Sequence, residues 1–114
     1  MRARAGALLV LFLASSIALA SSAAAAPTTR AECEAAGGKW GRLGLKPQEA
    51  CNLPTRDAGK PCTDATDCVS ACIAPDAAPE GSRAQGKCFD RELLVGTCLK
   101  QVRDGVVGPT LCAD

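Results

Sequence analysis

Apolar positions in this chain do not form the long periodic stretches of an ordinary core. After one apolar block near the start they come in short clusters, cut by Gly, Pro, Asp and Cys. The first block, Ala7 to Ala14, follows Arg2 and Arg4 and runs on towards the small-residue tract Ser21 to Ala26, the layout of a secretory signal peptide. The run is short for a bilayer span, and the tract has no cysteine to acylate. Residues 1–26 therefore read as a signal peptide cut between Ala20 and Ala26, and 27–114 as one exported domain with no membrane anchor after cleavage.

Beyond the signal the local pattern predicts only short elements. Thr29-Arg30-Ala31-Glu32 is a capping box, so a short N-terminal helix carrying Cys33 is expected to end at Gly37-Gly38. Lys39 to Arg42 and Glu49 to Leu53 alternate as two short strands around a loop holding Pro47. Pro54 to Pro61 is turn-rich, and Asp64 and Asp67 are placed to cap one helical turn through Cys68. Calcium ligation is the other use of such a pair, but no ligand-spaced Asp/Asn/Gly loop surrounds them. Ala74 to Gln85 has no apolar anchor and reads as a mobile loop. Thr97 to Arg103 and Val106 to Cys112 flank Asp104-Gly105, a strong two-residue hairpin turn. With Arg103 opposite Val106, a regular ladder sets Cys98 opposite Leu111; a Cys98–Cys112 bridge then requires a bulge, for which Gly108-Pro109 is the natural place.

Composition decides what holds these pieces together. Residues 27–114 contain all eight cysteines but only fourteen Leu, Ile, Val and Phe, too few for a self-sufficient core. An even cysteine count behind a signal peptide points to disulfides, so the expected fold is a small disulfide-rich domain, loop-rich, with one short helix and short antiparallel β-hairpins. Neighbourhood along the chain pairs Cys33 with Cys51 and Cys98 with Cys112. Overlapping bridges Cys62–Cys72 and Cys68–Cys88 would fasten both ends of the loop between Cys72 and Cys88. Spacing alone leaves other pairings open.

Charge and residue types exclude several functions. Setting aside Arg2 and Arg4 leaves 11 basic residues against 12 acidic ones, with no basic excess for nucleic acid or an anionic membrane. Histidine and tyrosine are absent, so there is no Ser-His or Cys-His pair and no imidazole acid–base group. No enzyme activity and no cofactor are expected. The cysteines contain no C-x-x-C; zinc is their alternative use, ranked behind oxidation, and no metal site is assigned.

The spacing Cys62-x5-Cys68-x3-Cys72 followed by Gly86-Lys87-Cys88 resembles knottin-like and colipase or dickkopf-type cysteine-rich modules, without the adjacent Cys-Cys pair those modules carry. A longer stretch is similar to an uncharacterised family of small exported cysteine-rich bacterial proteins: Cys33-Glu34-Ala35-Ala36-Gly37-Gly38-Lys39-Trp40, then Cys51 to Lys60 and the central cysteines. That resemblance implies bacterial export and a shared fold, and no activity.

Two functions fit. One is a secreted or periplasmic protein-binding or inhibitor-like module whose partner is another exported protein, contacted through the 74–85 loop and Arg83, or through the surface around Trp40 and Arg42. The other is a structural or protective cell-envelope component whose bridges serve durability. Trp40 itself reads first as a cover for a Cys33–Cys51 bridge rather than a ligand platform.

Overall fold

The computed structural model describes residues 25–114; apart from Ala25 and Ala26, the expected signal peptide lies outside them. Helix α1, Arg30–Ala35, starts where Thr29 and Glu32 satisfy each other's backbone N–H groups. It ends as Gly37, at φ 75°, turns the chain so that Gly38 N–H reaches the Cys33 carbonyl and Gly37 N–H that of Glu34. The chain then enters an antiparallel pair, β1 (Lys39–Arg42) and β2 (Glu49–Asn52), with Trp40 opposite Cys51.

A second sheet of five strands runs in the order β3-β5-β4-β6-β7, with β3 Pro61–Cys62, β4 Cys72–Ile73, β5 Gly86–Cys88, β6 Thr97–Arg103 and β7 Val106–Ala113. Between β3 and β4 lies a single 3-10 turn, Ala65–Asp67, closed by Asp64 and Asp67 in a reciprocal cap. Asp104 (φ 50°) and Gly105 (φ 74°) make the left-handed two-residue turn joining β6 to β7. The ladder carries one irregularity: Lys100 faces Thr110 while Val102 faces Val107, so Gly108 and Pro109 together oppose Gln101. That extra residue places Cys98 directly opposite Cys112.

Four disulfides close the frame: Cys33–Cys51, Cys62–Cys72, Cys68–Cys88 and Cys98–Cys112. The first and last are the pairs that neighbourhood along the chain favours, and the middle two are the overlapping bridges expected to fasten both ends of the 72–88 loop. The core is small and largely sulfur. Cys62, Cys72 and Cys88 pack with Ala74, Val102 and Val107, and among the described residues Val102 and Val107 are the only fully buried large aliphatic side chains.

The two sheets are tied by a segment that behaves as a strand pair without being one. Asn52, buried, both donates its side-chain amide to the Leu93 carbonyl and accepts from the Leu93 N–H. In effect its side chain supplies the two groups a partner backbone would supply. Glu92 N–H then reaches Leu53, Thr55 N–H reaches Asp90, and the buried Thr55 hydroxyl donates to Phe89.

The 74–85 segment departs from the mobile loop expected of it. Gly81 N–H donates to the Val107 carbonyl at 2.7 Å, Val107 N–H to Ser82 at 2.9 Å, and Ala84 N–H to Gly105 at 3.2 Å. Lys100 reaches over with its Nζ to the carbonyls of Asp76 and Ala78. Ala74 is buried, and Ala78 and Ala84 pack on the core. Backbone hydrogen bonds and methyl-sized anchors fasten the segment to the hairpin, and neither registers as apolar patterning in the sequence.

Candidate recognition surface

The residues singled out in the sequence do not converge. Arg83 is exposed and bridges to Val106, beside the β6–β7 turn. Arg42 is exposed at the other end of that hairpin, lining a hollow with Gly44, Leu45, Val95, Gly96 and Asp114. A hairpin of this length separates them by roughly 20 Å. Trp40 and Arg42, two apart on β1, share one face of the small sheet, as do their partners Cys51 and Glu49. Trp40 is half-buried and donates its Nε1 to Glu49 at 2.9 Å. Placed directly across from Cys51, it has the position of a cover for the Cys33–Cys51 bridge.

The most distinctive surface is one that sequence reasoning did not identify. A groove of about 510 Å³ is lined by Leu43, Leu45, Lys46, Pro47, Leu93, Val95 and Asp114. Three segments build it, and the fold holds each of them. The β1–β2 loop brings Leu43 and Leu45 around Gly44, whose φ of 65° and close approach to the Asp114 backbone leave no room for a side chain. Leu93 is fixed through its backbone by Asn52. Gly96, also at positive φ (67°), donates to the Ala113 carbonyl at 2.7 Å and brings the carboxyl end alongside Val95. Leu45 is 86% exposed and Leu93 45%.

A second apolar hollow follows directly in the chain, formed by Leu94, Leu99 and Leu111 with Thr97, Gln101 and Ala113. Leu99 and Leu111 stand opposite one another on β6 and β7, and Leu111 is 55% exposed. None of the seven leucines among the described residues is buried. In a protein with so little apolar material, placing leucine outside the core leaves a patch that water covers at a cost. The sequence hint was local: Leu43 and Leu45 flank a glycine in a loop, and Leu93-Leu94-Val95 ends at Gly96 outside any strand.

Charges frame this surface without pairing across it. Arg42 and Lys46 supply cations and Asp114 carboxylate, while the two ion pairs among the described residues both involve Arg30, with Glu34 and with Glu49. Such a site can hold apolar side chains and orient them by charge.

The central node, Cys62 to Cys72 with Cys88, also brings sulfurs to the spacing of metal ligands. Those of Cys62, Cys68 and Cys72 lie within 4.8 Å of one another, as do the Asp57 carboxylate and the sulfurs of Cys68 and Cys88. All four cysteines are consumed in disulfides, which lack the thiolate that zinc binding needs. Asp57 is used structurally, accepting from Val69 N–H at 2.8 Å through one oxygen while the other is buried without a partner.

Asp64 and Asp67 serve backbone rather than cations. Asp67 accepts from the N–H groups of Thr63 and Asp64, and Asp64 from those of Thr66 and Asp104. Their carboxyls are held below the usual carboxylate range, Asp64 chiefly by the Thr66 N–H and Asp67 chiefly by the Thr63 N–H. No family model matches this chain, and neither a curated protein nor a solved structure is significantly similar to it, so the functional reading rests on the chemistry of the leucine-lined surface.

Proposed function

We propose that the chain is an exported protein-binding module, and that it presents the leucine-lined groove on a frame held rigid by four disulfides. The observation that carries this reading is the exposure of Leu45 and Leu93 in the groove of a protein whose core lacks aliphatic mass. Pre-organisation supports it further, because a surface already ordered by crosslinks loses little freedom on binding. The partner is another exported protein that offers an apolar segment to the groove, with Arg42, Lys46 and Asp114 at its rim.

Export is supported by the leader pattern of residues 1–26, by four bridges suited to an oxidising compartment, and by the resemblance to exported cysteine-rich bacterial proteins. Among the described residues no helix is long and apolar enough to cross a membrane. The density of bridges also favours a second reading, a structural or protective envelope component.

The test is capture from periplasmic and culture fractions with the oxidised domain and with its Leu45→Asp and Leu93→Asp variants. A single saturable partner that the variants lose, at unchanged melting temperature, supports the groove. Absence of any saturable partner leaves the envelope reading, and a partner retained by both variants moves the site away from the leucines.

A further inference from the structure

The four disulfides differ in what a thiol from solution can reach. Cys33 and Cys72 are fully buried, and Cys62 and Cys88 nearly so, so three bridges have at least one end sealed in the protein. Cys98 and Cys112 are both exposed, and β7 is the outermost strand of its sheet. Thiol–disulfide exchange requires a thiolate to attack one sulfur while the other departs. Only this bridge offers solvent access at both ends.

The position of the bridge sets what opening it does. Nearer the turn, β6 and β7 are held without it: Val102 and Val107 are sealed in the core, Asp104 N–H is bound to Asp64, and Gly105 N–H to the Thr63 carbonyl. The bulge at Gly108 and Pro109 lies between those anchors and the cysteines. Opening Cys98–Cys112 therefore releases only the far end of the hairpin, from Thr97 to Leu99 and from Leu111 to Asp114. That end carries the Gly96–Ala113 hydrogen bond and the Asp114 contact with Gly44.

We propose that Cys98–Cys112 is a thiol-exchange site, opened and closed by a protein dithiol of the same compartment, while the other three bridges maintain the frame. One thiolate of the dithiol attacks the sulfur of Cys98 or Cys112 and forms a mixed disulfide; the electron pair of the broken S–S bond goes to the other cysteine, which leaves as thiolate and takes a proton. The second thiol of the partner then attacks the mixed disulfide. It departs with its own disulfide closed and two cysteine thiols left on this chain, a balanced two-electron exchange.

The test is timed reduction of the oxidised protein with limiting dithiothreitol, trapping by alkylation and peptide mapping. Cys98 and Cys112 should be labelled roughly tenfold faster than the other six, since exchange follows access, with the circular dichroism spectrum retained. Earlier labelling of any central cysteine, or labelling of all eight together, overturns the proposal. The Cys98→Ser/Cys112→Ser variant should fold and lose the fast phase; a fast phase that persists also overturns it. The protein partner is probed with a C-x-x-C oxidoreductase lacking its resolving cysteine. A trapped adduct at Cys98 or Cys112 supports the proposal, and an adduct only elsewhere, or none, refutes the protein-dithiol step.

Discussion

The carboxylate of Asp64 accepts a hydrogen bond from the backbone N–H of Asp104 at 2.8 Å, joining the central node to a turn 40 residues further along the chain. Because Asp64 and Asp67 are both held below the usual carboxylate range, each stabilises the fold most fully above its unfolded-state pKa. That contribution is lost as pH falls through the lower folded-state value. Melting temperature should accordingly hold from pH 7 to about pH 4 and fall below it. Asp64→Asn should flatten the acid side of the profile; an unchanged slope in the variant would remove Asp64 from the account.

Replacing Ala77 to Arg83 with a Gly/Ser segment of equal length should lower stability by about 2 kcal/mol, through the loss of Ala78 packing and Pro79 and the added chain freedom of glycine. Lys100→Met isolates one part of this attachment, the two Nζ contacts with Asp76 and Ala78. Amide exchange at Ala78 should rise in that variant. Exchange no faster than in the wild type would show that the lysine is not what fastens the segment.

Gly38 and Gly41, three residues apart, should respond to alanine in opposite ways. A Cβ on Gly38 would stand 2.6 Å from the Cys51 sulfur and 2.7 Å from that of Cys33, whereas one on Gly41 would meet nothing within 4 Å. Gly38→Ala should cost about 2 kcal/mol or more, or leave the first bridge unformed, and Gly41→Ala should stay within about 0.5 kcal/mol. Thermal melts with intact-mass analysis of the refolded products read both; equal effects would contradict the close approach at Gly38.

Asn52→Ala should cost about 2 to 3 kcal/mol, because it removes two hydrogen bonds and strands the Leu93 backbone groups they satisfied. Asn52→Asp keeps the acceptor but sets a buried carboxylate oxygen against the Leu93 carbonyl, so at pH 7 it should cost at least as much as alanine. Urea midpoints at constant m-value make the comparison.

Much of this architecture could be read where chemistry is local. The capping boxes, the Asp104-Gly105 turn and the bulge at Gly108-Pro109 depend on residues close in sequence whose backbone needs are specific. What escaped reading is non-local. The fastening of 74–85 uses carbonyls, amides and alanine methyls, which carry no hydropathy signal. The leucine surface escaped for the opposite reason: hydropathy assigns leucine to a core, and here sulfur and valine occupy that core while Leu43, Leu45 and Leu93 meet in the groove and Leu99 and Leu111 stand on the outer hairpin. Arg42 lies in the hollow beside the groove, which shares Leu45, Val95 and Asp114 with it, and Arg83 lies by the turn at the opposite end of the hairpin.

The bulge turns strand register into a checkpoint for oxidation. With the bulge Cys98 meets Cys112; the same residues paired as a regular ladder would set Cys98 across from Leu111, with the two sulfurs on opposite faces. A chain paired one step out of phase thus keeps its final thiols apart and remains open to rearrangement. Closure of that bridge then reports that the hairpin has counted correctly: inserting one residue between Thr110 and Cys112 should yield a protein that folds its centre yet ends with Cys98 and Cys112 reduced, whereas deleting Gly108 leaves a regular ladder in which the two cysteines still meet.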